Sequence, residues 1–346
     1  MRSELLDGLL AGIDESLYEP FRNKTIAVTG ATGLIGSLVC KALLLADDRM
    51  GLGCVVVAVV RDDAKLSSVL QGYSELGKLE VVRCDLAEDE PSIDAADFIL
   101  HAAAVTKSKV MVQCPADVAL MSLRGTESML EIARGSGARM VYVSSMEVYG
   151  TLPDGEVADE SALGWIDLTA PRSCYPESKR MCECLCSAYA AQYGVQALSA
   201  RLAQTFGAGV LPGENRAFAQ FARSAMRDES IVLRTHGLSE GNYVNTIDCV
   251  AGLLTLLARG EAGLSYNIAN EESHGTIRFV AELASDILGG DKCNVVIDVD
   301  ESNSAGYAPD VHLRLSSARL RGLGWEPKTG LADSFAELGA YLREQD

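Results

Sequence analysis

Basic residues are scarce in this chain. Its 30 Lys and Arg stand against 48 Asp and Glu, which gives a formal net charge of -18. Because nucleic-acid binding needs a basic face that neutralises phosphates, we expect no nucleic-acid partner. The charge balance still allows a small anionic ligand that is held by a few cationic side chains in a local pocket.

Long apolar runs are also lacking. No stretch of eighteen or more uncharged apolar residues occurs, whereas a helix needs about 20 to cross a bilayer. The N-terminus lacks the basic region, apolar core and cleavage site of a secretion signal. We therefore expect a cytoplasmic protein that does not contact a membrane.

Paired cysteine motifs are missing as well. The chain has ten cysteines but no CxxC pair, which indicates reduced thiols. The one cluster is Cys182, Cys184 and Cys186; on a helix the first and third share a face and the second points elsewhere. None of the four histidines lies near this cluster in the sequence, so we predict no metal site.

The first 22 residues form an acidic segment whose leucines and isoleucine recur at helical spacing. These residues are Leu5, Leu6, Leu9, Leu10, Ile13 and Leu17. We predict an N-terminal helical extension over 1–22 that packs on the main body or on a second subunit. The alternative is a frayed tail.

Short apolar runs then alternate with helical patterns, which is typical of a parallel sheet covered on both faces. The runs lie at 25–29, 54–60, 79–83, 98–100, 140–143 and 197–201, and the helices at about 34–46, 116–134 and from Pro171 to 193. We predict an α/β fold with a Rossmann-type doubly wound parallel sheet over 23–206, to which 243–269 returns. A smaller α/β C-terminal substrate lobe is expected from 207–242 and 270–346.

A glycine-rich turn follows the first predicted strand and opens the first long helix. Gly30 allows the tight turn, Gly33 lets the backbone approach a pyrophosphate, and Gly36 lets helix and strand pack closely. The helix N-terminus presents free N–H groups to the phosphates. This context predicts dinucleotide binding, with contacts from Gly30, Thr32, Gly33, Leu34, Ile35 and Gly36.

The end of the second strand predicts the ribose contact. An acid there hydrogen-bonds the ribose hydroxyls of NAD, whereas an arginine can hold the 2′-phosphate of NADP. The chain offers both, as Arg61 and Asp62, so NAD is the expected cofactor and NADP the alternative. The other predicted cofactor contacts are Asp85, Leu86, Ala102, Ala103, Ala104, Val143, Tyr175 and Lys179.

Tyr175 and Lys179 are four residues apart, which places them one turn apart on one face of a helix. A free tyrosine has a pKa of about 10, and a neighbouring ammonium should lower it by favouring the phenolate. Tyr175 would then take a proton from a hydroxyl while a hydride leaves the same carbon. Ser145, at the tip of the strand before it, should hydrogen-bond the reacting oxygen.

Several motifs in the same order resemble the extended short-chain dehydrogenase/reductases, the NAD-dependent epimerase/dehydratase family that modifies nucleotide sugars. They are TGATGLIG at 29–36, HAAA at 101–104, GT at 125–126, SSMEVYG at 144–150, Tyr175 with Lys179, 201–207 and LGWEP at 323–327. The segments 147–150 and 171–175 most resemble UDP-glucuronate decarboxylases.

The resemblance implies an enzyme in which Tyr175 and NAD oxidise a sugar hydroxyl to a transient ketone. Epimerisation, decarboxylation or dehydration follows, and the hydride is often returned. Glu147 would assist the later step as a fourth catalytic residue. Met146 stands where sugar 4,6-dehydratases carry an aspartate, which disfavours dehydration.

The resemblance also implies substrate contacts and a homodimer. The predicted substrate contacts are Thr106, Ser145, Met146, Gln204 and Arg216. The family's phosphate-binding arginine has no counterpart in 237–243, so Arg216 or Arg234 would supply the positive charge. The homodimer would form through the Tyr175 helix, with Cys182 or Cys186 near the interface.

Two other functions are compatible with the sequence. Arg61 favours an NADPH-dependent reductase of a small carbonyl compound. A non-catalytic dinucleotide-binding protein would need neither Tyr175 nor Lys179, so the presence of both disfavours it.

Overall fold

The elements of the fold come from a computed structural model, which describes residues 2–93, 95–153, 155–299 and 310–345. The strands are β1 Thr25–Thr29, β2 Val55–Val60, β3 Lys78–Arg83, β4 Phe98–His101, β5 Arg139–Ser145, β6 Val157–Ala158, β7 Gln196–Leu202, β8 Gln204–Phe206, β9 Ile231–Leu233, β10 Glu240–Asn245, β11 Ser265–Ile268, β12 Asn270–Thr276, β13 Val295–Ile297 and β14 Arg314–Leu315. The helices are α1 Glu4–Ala11, α2 Leu34–Met50, α3 Asp63–Val69, α4 Ser108–Gln113, α5 Pro115–Ser136, α6 Cys174–Tyr193, α7 Ala217–Met226, α8 Thr246–Arg259, α9 Ile277–Leu288, α10 Ala318–Arg321 and α11 Leu331–Gln345.

Seven parallel strands form the central sheet in the order β11-β7-β5-β4-β1-β2-β3. The chain winds outward from β1 in both directions, which confirms the predicted doubly wound sheet. In such a sheet, ligands bind where the strand order reverses, at the carboxyl ends of the strands. Here β1 and β4 lie side by side at that point.

Both faces of the sheet are buried. Alternate residues of β1 enter two separate apolar cores: Ile26 and Val28 belong to one, and Ala27 belongs to the other. Helices α2 and α8 cover the first face, and α5 and α6 cover the second. Across the described ranges, the model contains no helix that is both long and apolar enough to pass through a bilayer.

A three-stranded sheet, β12-β10-β8, lies beside the main one. Strand β8 begins two residues after β7 ends, so it continues from the central sheet into the smaller one. Within the stretch 243–269, α8 packs on the central sheet and β11 is its edge strand, but Tyr243 to Asn245 belong to β10 of the small sheet. The return to the main body therefore starts at Thr246. The portion of the predicted substrate lobe at 300–309 falls outside the described residues.

An N-terminal helix is present within the predicted extension, and it packs on the same chain. Helix α1 ends at Ala11, with Gly12 as its C-cap, so Ile13 and Leu17 lie beyond it. Leu6 and Leu10 are buried against the main core. Ser3 Oγ donates to Glu344 Oε2 at 2.5 Å, which joins α1 to the C-terminal helix α11.

Candidate active site

The glycine turn between β1 and α2 is shaped for close approach. Gly30 has φ +66°, and a Cβ there would lie 2.8 Å from the Ala102 and Ala103 backbone. A Cβ at Gly36 would collide with the Gly30 carbonyl. Gly33 is the N-cap of α2 and supplies no side chain to cap it, so the N–H groups of the first turn stay free for an anion. This turn fits the pyrophosphate of a dinucleotide.

The other residues predicted to contact the cofactor lie around this turn. Thr32, Leu34 and Ile35 are half-buried in the turn and the first helical turn. Thr29 Oγ1 accepts a hydrogen bond from Ala103 N at 3.1 Å, which ties β1 to the segment after β4. Ala102 to Ala104 are half-buried, and Val143 is 8% exposed.

At the end of β2, where the ribose contact is predicted, Arg61 and Asp85 lie close together. Arg61 Nη1 lies 3.8 Å from Asp85 Oδ2, and the Arg61 side chain is 69% exposed. Asp62 Oδ1 accepts a hydrogen bond from Lys65 N at 3.0 Å and so caps α3. Leu86 is buried beside Asp85. The Asp62 carboxylate is therefore already hydrogen-bonded to the backbone of α3, whereas the Arg61 side chain is mostly exposed to solvent.

The structure brings together the three side chains predicted to catalyse proton transfer. Ser145 ends β5, and Tyr175 and Lys179 lie on adjacent turns of α6. The Ser145 side chain lowers the pKa of Tyr175, so the two hydroxyls lie near each other. Lys179 Nζ donates to Val143 O at 2.6 Å. Tyr175 is 8% exposed and Lys179 3% exposed, so both groups act in a nearly water-free environment.

The electrostatics of Tyr175 depend on burial and on several nearby groups. The pKa of Tyr175 is raised to about 12: burial is the largest cause and the Glu147 carboxylate adds to it, whereas the Ser145 hydrogen bond, Arg172 and Arg216 lower the pKa. The predicted lowering, by Lys179 together with the positive nicotinamide ring, stays a prediction, and in the protein without NAD the pKa of Tyr175 is not lowered. The reason is burial, which opposes charge on both groups: it also lowers the pKa of Lys179 to about 8.

Glu147 is held by an arginine that sequence reasoning gave no role. Arg172 Nη1 donates to Glu147 Oε2 at 2.6 Å, and Nη2 donates to Oε1 at 3.0 Å. Glu147 N also donates to Ser145 Oγ at 3.2 Å. The bidentate pair fixes the carboxylate beside the catalytic group. The signal in the sequence was the position of Arg172, three residues before Tyr175.

The residues predicted to bind substrate lie on several elements. Met146 follows β5 and approaches β10, since a Cβ on Gly241 would lie 3.4 Å from Met146 Cε. Gln204 begins β8 and is half-buried, and Thr106 is exposed before α4. The structure thus places Met146 and Gln204 on the side of the small sheet.

Of the two candidate phosphate-binding arginines, Arg216 is near the catalytic group. Its charge acts on Tyr175, and it is the N-cap residue of α7. Glu214 accepts a hydrogen bond from Arg216 Nη2 at 2.8 Å. Arg234 instead pairs with Asp298 at an exposed position between β9 and β13.

A buried ion pair connects the helix and the strand that carry the candidate catalytic residues. Arg201, on β7, donates from Nη2 to Glu183 Oε2 at 2.7 Å, and both side chains are at most 10% exposed. Ser144 Oγ donates to Glu183 Oε1 at 2.5 Å. Glu183 lies one turn after Lys179, and Ser144 precedes Ser145. The pair therefore joins the catalytic helix to the tip of β5, a link that sequence reasoning missed.

The cysteines form neither disulfides nor a ligand set. All ten are free thiols. Among the residues that the structure describes, no three or more His, Cys, Asp or Glu side chains converge as metal ligands. Cys182 and Cys186 are buried inside their own chain and Cys184 is exposed. The expectation that a dimer would bury Cys182 or Cys186 near its interface stays a prediction; on this helix Cys184 is the outward-facing thiol.

Comparisons with known proteins agree with the geometry of the cleft. The model of the NAD dependent epimerase/dehydratase family matches residues 26–269. UDP-glucuronic acid decarboxylase 1 of Xenopus tropicalis is 27% identical over 322 residues, which cover 93% of this chain and 73% of that protein. UDP-glucuronic acid decarboxylase 6 of Arabidopsis thaliana is 27% identical over 326 residues, 94% of this chain and 89% of that one.

Solved structures share the fold. UDP-glucose 4-epimerase of Thermotoga maritima superposes with a TM-score of 0.75 at 22% identity, covering 93% of this chain and 99% of that one. UDP-glucuronic acid 4-epimerase of Bacillus cereus, solved with UDP-glucuronic acid and NAD, has a TM-score of 0.74 at 20% identity, covering 93% and 100%.

Proposed function

This chain belongs to the NAD-dependent epimerase/dehydratase family, and we propose that within it the chain is a nucleotide-sugar decarboxylase. Two curated relatives that match nine-tenths of the chain are UDP-glucuronic acid decarboxylases. The observation that carries the proposal is the assembly of Ser145, Tyr175 and Lys179 at the carboxyl edge of the sheet, with the Glu147–Arg172 pair beside it.

The first half of the reaction is an oxidation. The glycine turn of Gly30, Gly33 and Gly36 would hold NAD, which would supply a reversible acceptor for the hydride of the sugar carbon. Tyr175 takes the proton of the hydroxyl on that carbon, and Ser145 hydrogen-bonds the oxygen. Arg172 and Arg216 favour the phenolate form of Tyr175, and Lys179 holds a third positive charge one turn away.

The second half is the loss of carbon dioxide. A ketone next to the carbon that carries the carboxylate accepts the electron pair of the breaking C–C bond, so carbon dioxide leaves and an enolate forms. Tyr175, now protonated, donates to the enolate oxygen, and a proton from water completes the carbon. Glu147, fixed by Arg172, is placed to orient that water. Dehydration would need a proton donor at position 146, where this chain has Met146.

Arg216 supports an anionic nucleotide substrate. It lies at the start of α7, and its charge acts on Tyr175. The stretch 237–243 contains no arginine, and within it the Ser239 hydroxyl donates to Asp310 Oδ1 at 2.9 Å. We infer that Arg216 holds the diphosphate.

The test uses two matched substrates. Purified protein with NAD is incubated with UDP-glucuronate or with UDP-glucose, which lacks the carboxylate. Carbon dioxide release is measured, and the product is identified by NMR. We expect carbon dioxide from the uronate only, and none from the Tyr175→Phe variant. A product that keeps its carboxylate but is inverted at one carbon would replace decarboxylation by epimerisation.

The second candidate function is an NADPH-dependent reductase, which the exposed Arg61 favours. Bound cofactor distinguishes the two. An internal redox cycle retains NAD, which denaturation of the protein releases, and it consumes little free NADPH. Steady oxidation of free NADPH with a carbonyl substrate would support the reductase instead.

We also propose that the chain is a cytoplasmic homodimer that pairs through α6. Met181 and Cys184 are exposed on one face of this helix, and Leu163 and Trp165 are 66% and 70% exposed on the segment beside it. Neighbouring exposed apolar side chains indicate an interface. Mass photometry should give a dimer for the wild type and a monomer for Met181→Glu; a wild-type monomer at micromolar concentration would contradict the proposal.

A further inference from the structure

Lys179 rests on the face of an aromatic ring. Its Nζ lies 4.6 Å from the centroid of the Tyr142 ring, closer than to the Tyr175 ring at 5.8 Å. Tyr142 is 1% exposed and Lys179 3% exposed. An ammonium over an aromatic face is attracted by the ring quadrupole, more strongly when both are desolvated.

Other groups also act on this ammonium. Its Nζ donates a hydrogen bond to Val143 O at 2.6 Å. In the described ranges of the chain, no carboxylate forms an ion pair with Lys179. Glu183, on the same helix, raises the pKa of Lys179 from a distance, as do the Cys182 and Cys186 thiols, but Glu183 is itself paired with Arg201. The neighbouring thiols of Cys182 and Cys186 are buried, and burial raises the pKa of the Cys186 thiol.

The groups on the far side of the Tyr142 ring carry no charge that would compete with Lys179 for this ring. The His101 ring, paired with Tyr142 across β4 and β5, lies 5.7 Å from it, and burial lowers the pKa of His101 to about 3. Thr29 Oγ1 lies 2.7 Å from His101 Nδ1. A neutral column of Thr29, His101 and Tyr142 therefore runs across the sheet from the glycine turn to Lys179.

We infer that Tyr142 is a positioning residue for the proposed reaction: its ring face keeps Lys179 charged and in place between Val143 and Tyr175. The inference rests on the proposed function for the role of Lys179 in the chemistry. The ring is the working part of Tyr142, because its buried hydroxyl has no hydrogen-bond partner among the described residues. Phenylalanine should therefore serve as well as tyrosine, and an aliphatic residue should not.

The proposal has a consequence for protonation. Burial leaves the pKa of Lys179 at about 8, so the ammonium persists at neutral pH by a small margin. Removing the ring takes away an attraction felt only by the charged form, which lowers the pKa further. Lys179 would then be largely neutral at pH 7 and would no longer supply the positive charge that the proposed reaction has one turn from Tyr175.

The test measures this titration without any substrate. Protein with ¹⁵N-labelled lysine is titrated by NMR, and the Lys179 signal is assigned by its loss in Lys179→Met. We expect Tyr142→Phe to titrate within about 0.3 unit of the wild type and Tyr142→Leu at least about one unit lower, as loss of a desolvated cation–π contact implies. Tyr266→Leu removes an equally buried ring from β11, away from Lys179, and should not shift the midpoint.

A second measurement keeps the fold intact. Phenylalanines with increasing ring fluorination are placed at position 142, which weakens the ring quadrupole at nearly constant volume. The Lys179 midpoint should fall stepwise with fluorine number. Equal midpoints across this series, or in Tyr142→Phe and folded Tyr142→Leu, would overturn the inference. Because neither readout needs turnover, failure of the proposed decarboxylation would be seen separately.

Discussion

The cofactor side and the substrate side of the candidate active site are formed by different parts of the chain. The cofactor side is made of backbone: a glycine turn, a helix N-terminus and three alanines after β4. The substrate side is made of paired charged side chains, such as Glu147 with Arg172 and Glu214 with Arg216. Backbone geometry is dictated locally, whereas a charged pair needs two segments to meet. This difference explains which features a sequence reveals, and it orders the predictions below.

The largest effect should come from a substitution of Tyr175, which lies between the cofactor side and the substrate side. Tyr175→Phe removes the proton acceptor and leaves the buried ring in place, so hydride transfer should fall about 10²- to 10⁴-fold. NAD binding should be unchanged, because the glycine turn is untouched. Single-turnover absorbance at 340 nm measures the first quantity and calorimetry the second. Activity within a few-fold of wild type would remove Tyr175 as the acid/base.

The comparison also shows why the sequence was informative in one place and silent in another. The glycine spacing and the Tyr175–Lys179 interval are contained in short windows, so the turn and the catalytic helix could be predicted. The Glu183–Arg201 pair joins residues on α6 and β7 whose contact depends on the whole sheet order. The pKa of Tyr175 also escaped prediction, because burial by distant segments outweighs a neighbour one turn away.

The second prediction tests whether a buried charge pair is as important for the stability of the fold as the glycine turn. Glu183→Gln leaves the Arg201 charge buried without its counter-ion, so the free energy of unfolding should fall by about 3 to 5 kcal/mol. The matched control is Glu177→Gln, which breaks a half-exposed pair with Arg180 and should cost less than about 1 kcal/mol. Urea denaturation measures both. Equal losses would mean that burial does not set the strength of the Glu183 pair.

The third prediction distinguishes a glycine that the fold requires from a glycine that NAD binding requires. Gly30→Ala places a Cβ against backbone at a positive φ, so it should destabilise the fold by about 1 to 3 kcal/mol. At Gly33 a Cβ would meet only the Gly30 carbonyl, at 3.2 Å. Gly33→Ala should therefore keep the fold and weaken NAD binding about tenfold or more, by blocking the pyrophosphate. Thermal unfolding and calorimetry distinguish the two. Normal NAD affinity in Gly33→Ala would place the pyrophosphate elsewhere.

The smallest effect concerns the substrate side alone. Arg216→Met should raise KM for a nucleotide sugar about tenfold, a loss of roughly 1.4 kcal/mol of binding, because a charge that holds the diphosphate acts equally before and during the reaction. A change in kcat beyond a few-fold would instead mean that Arg216 acts mainly through Tyr175, whose phenolate it favours. Arg234→Met, which removes an exposed arginine paired with Asp298, should change neither constant. Equal effects of the two variants would mean that long-range charge, rather than a contact at the start of α7, attracts the substrate.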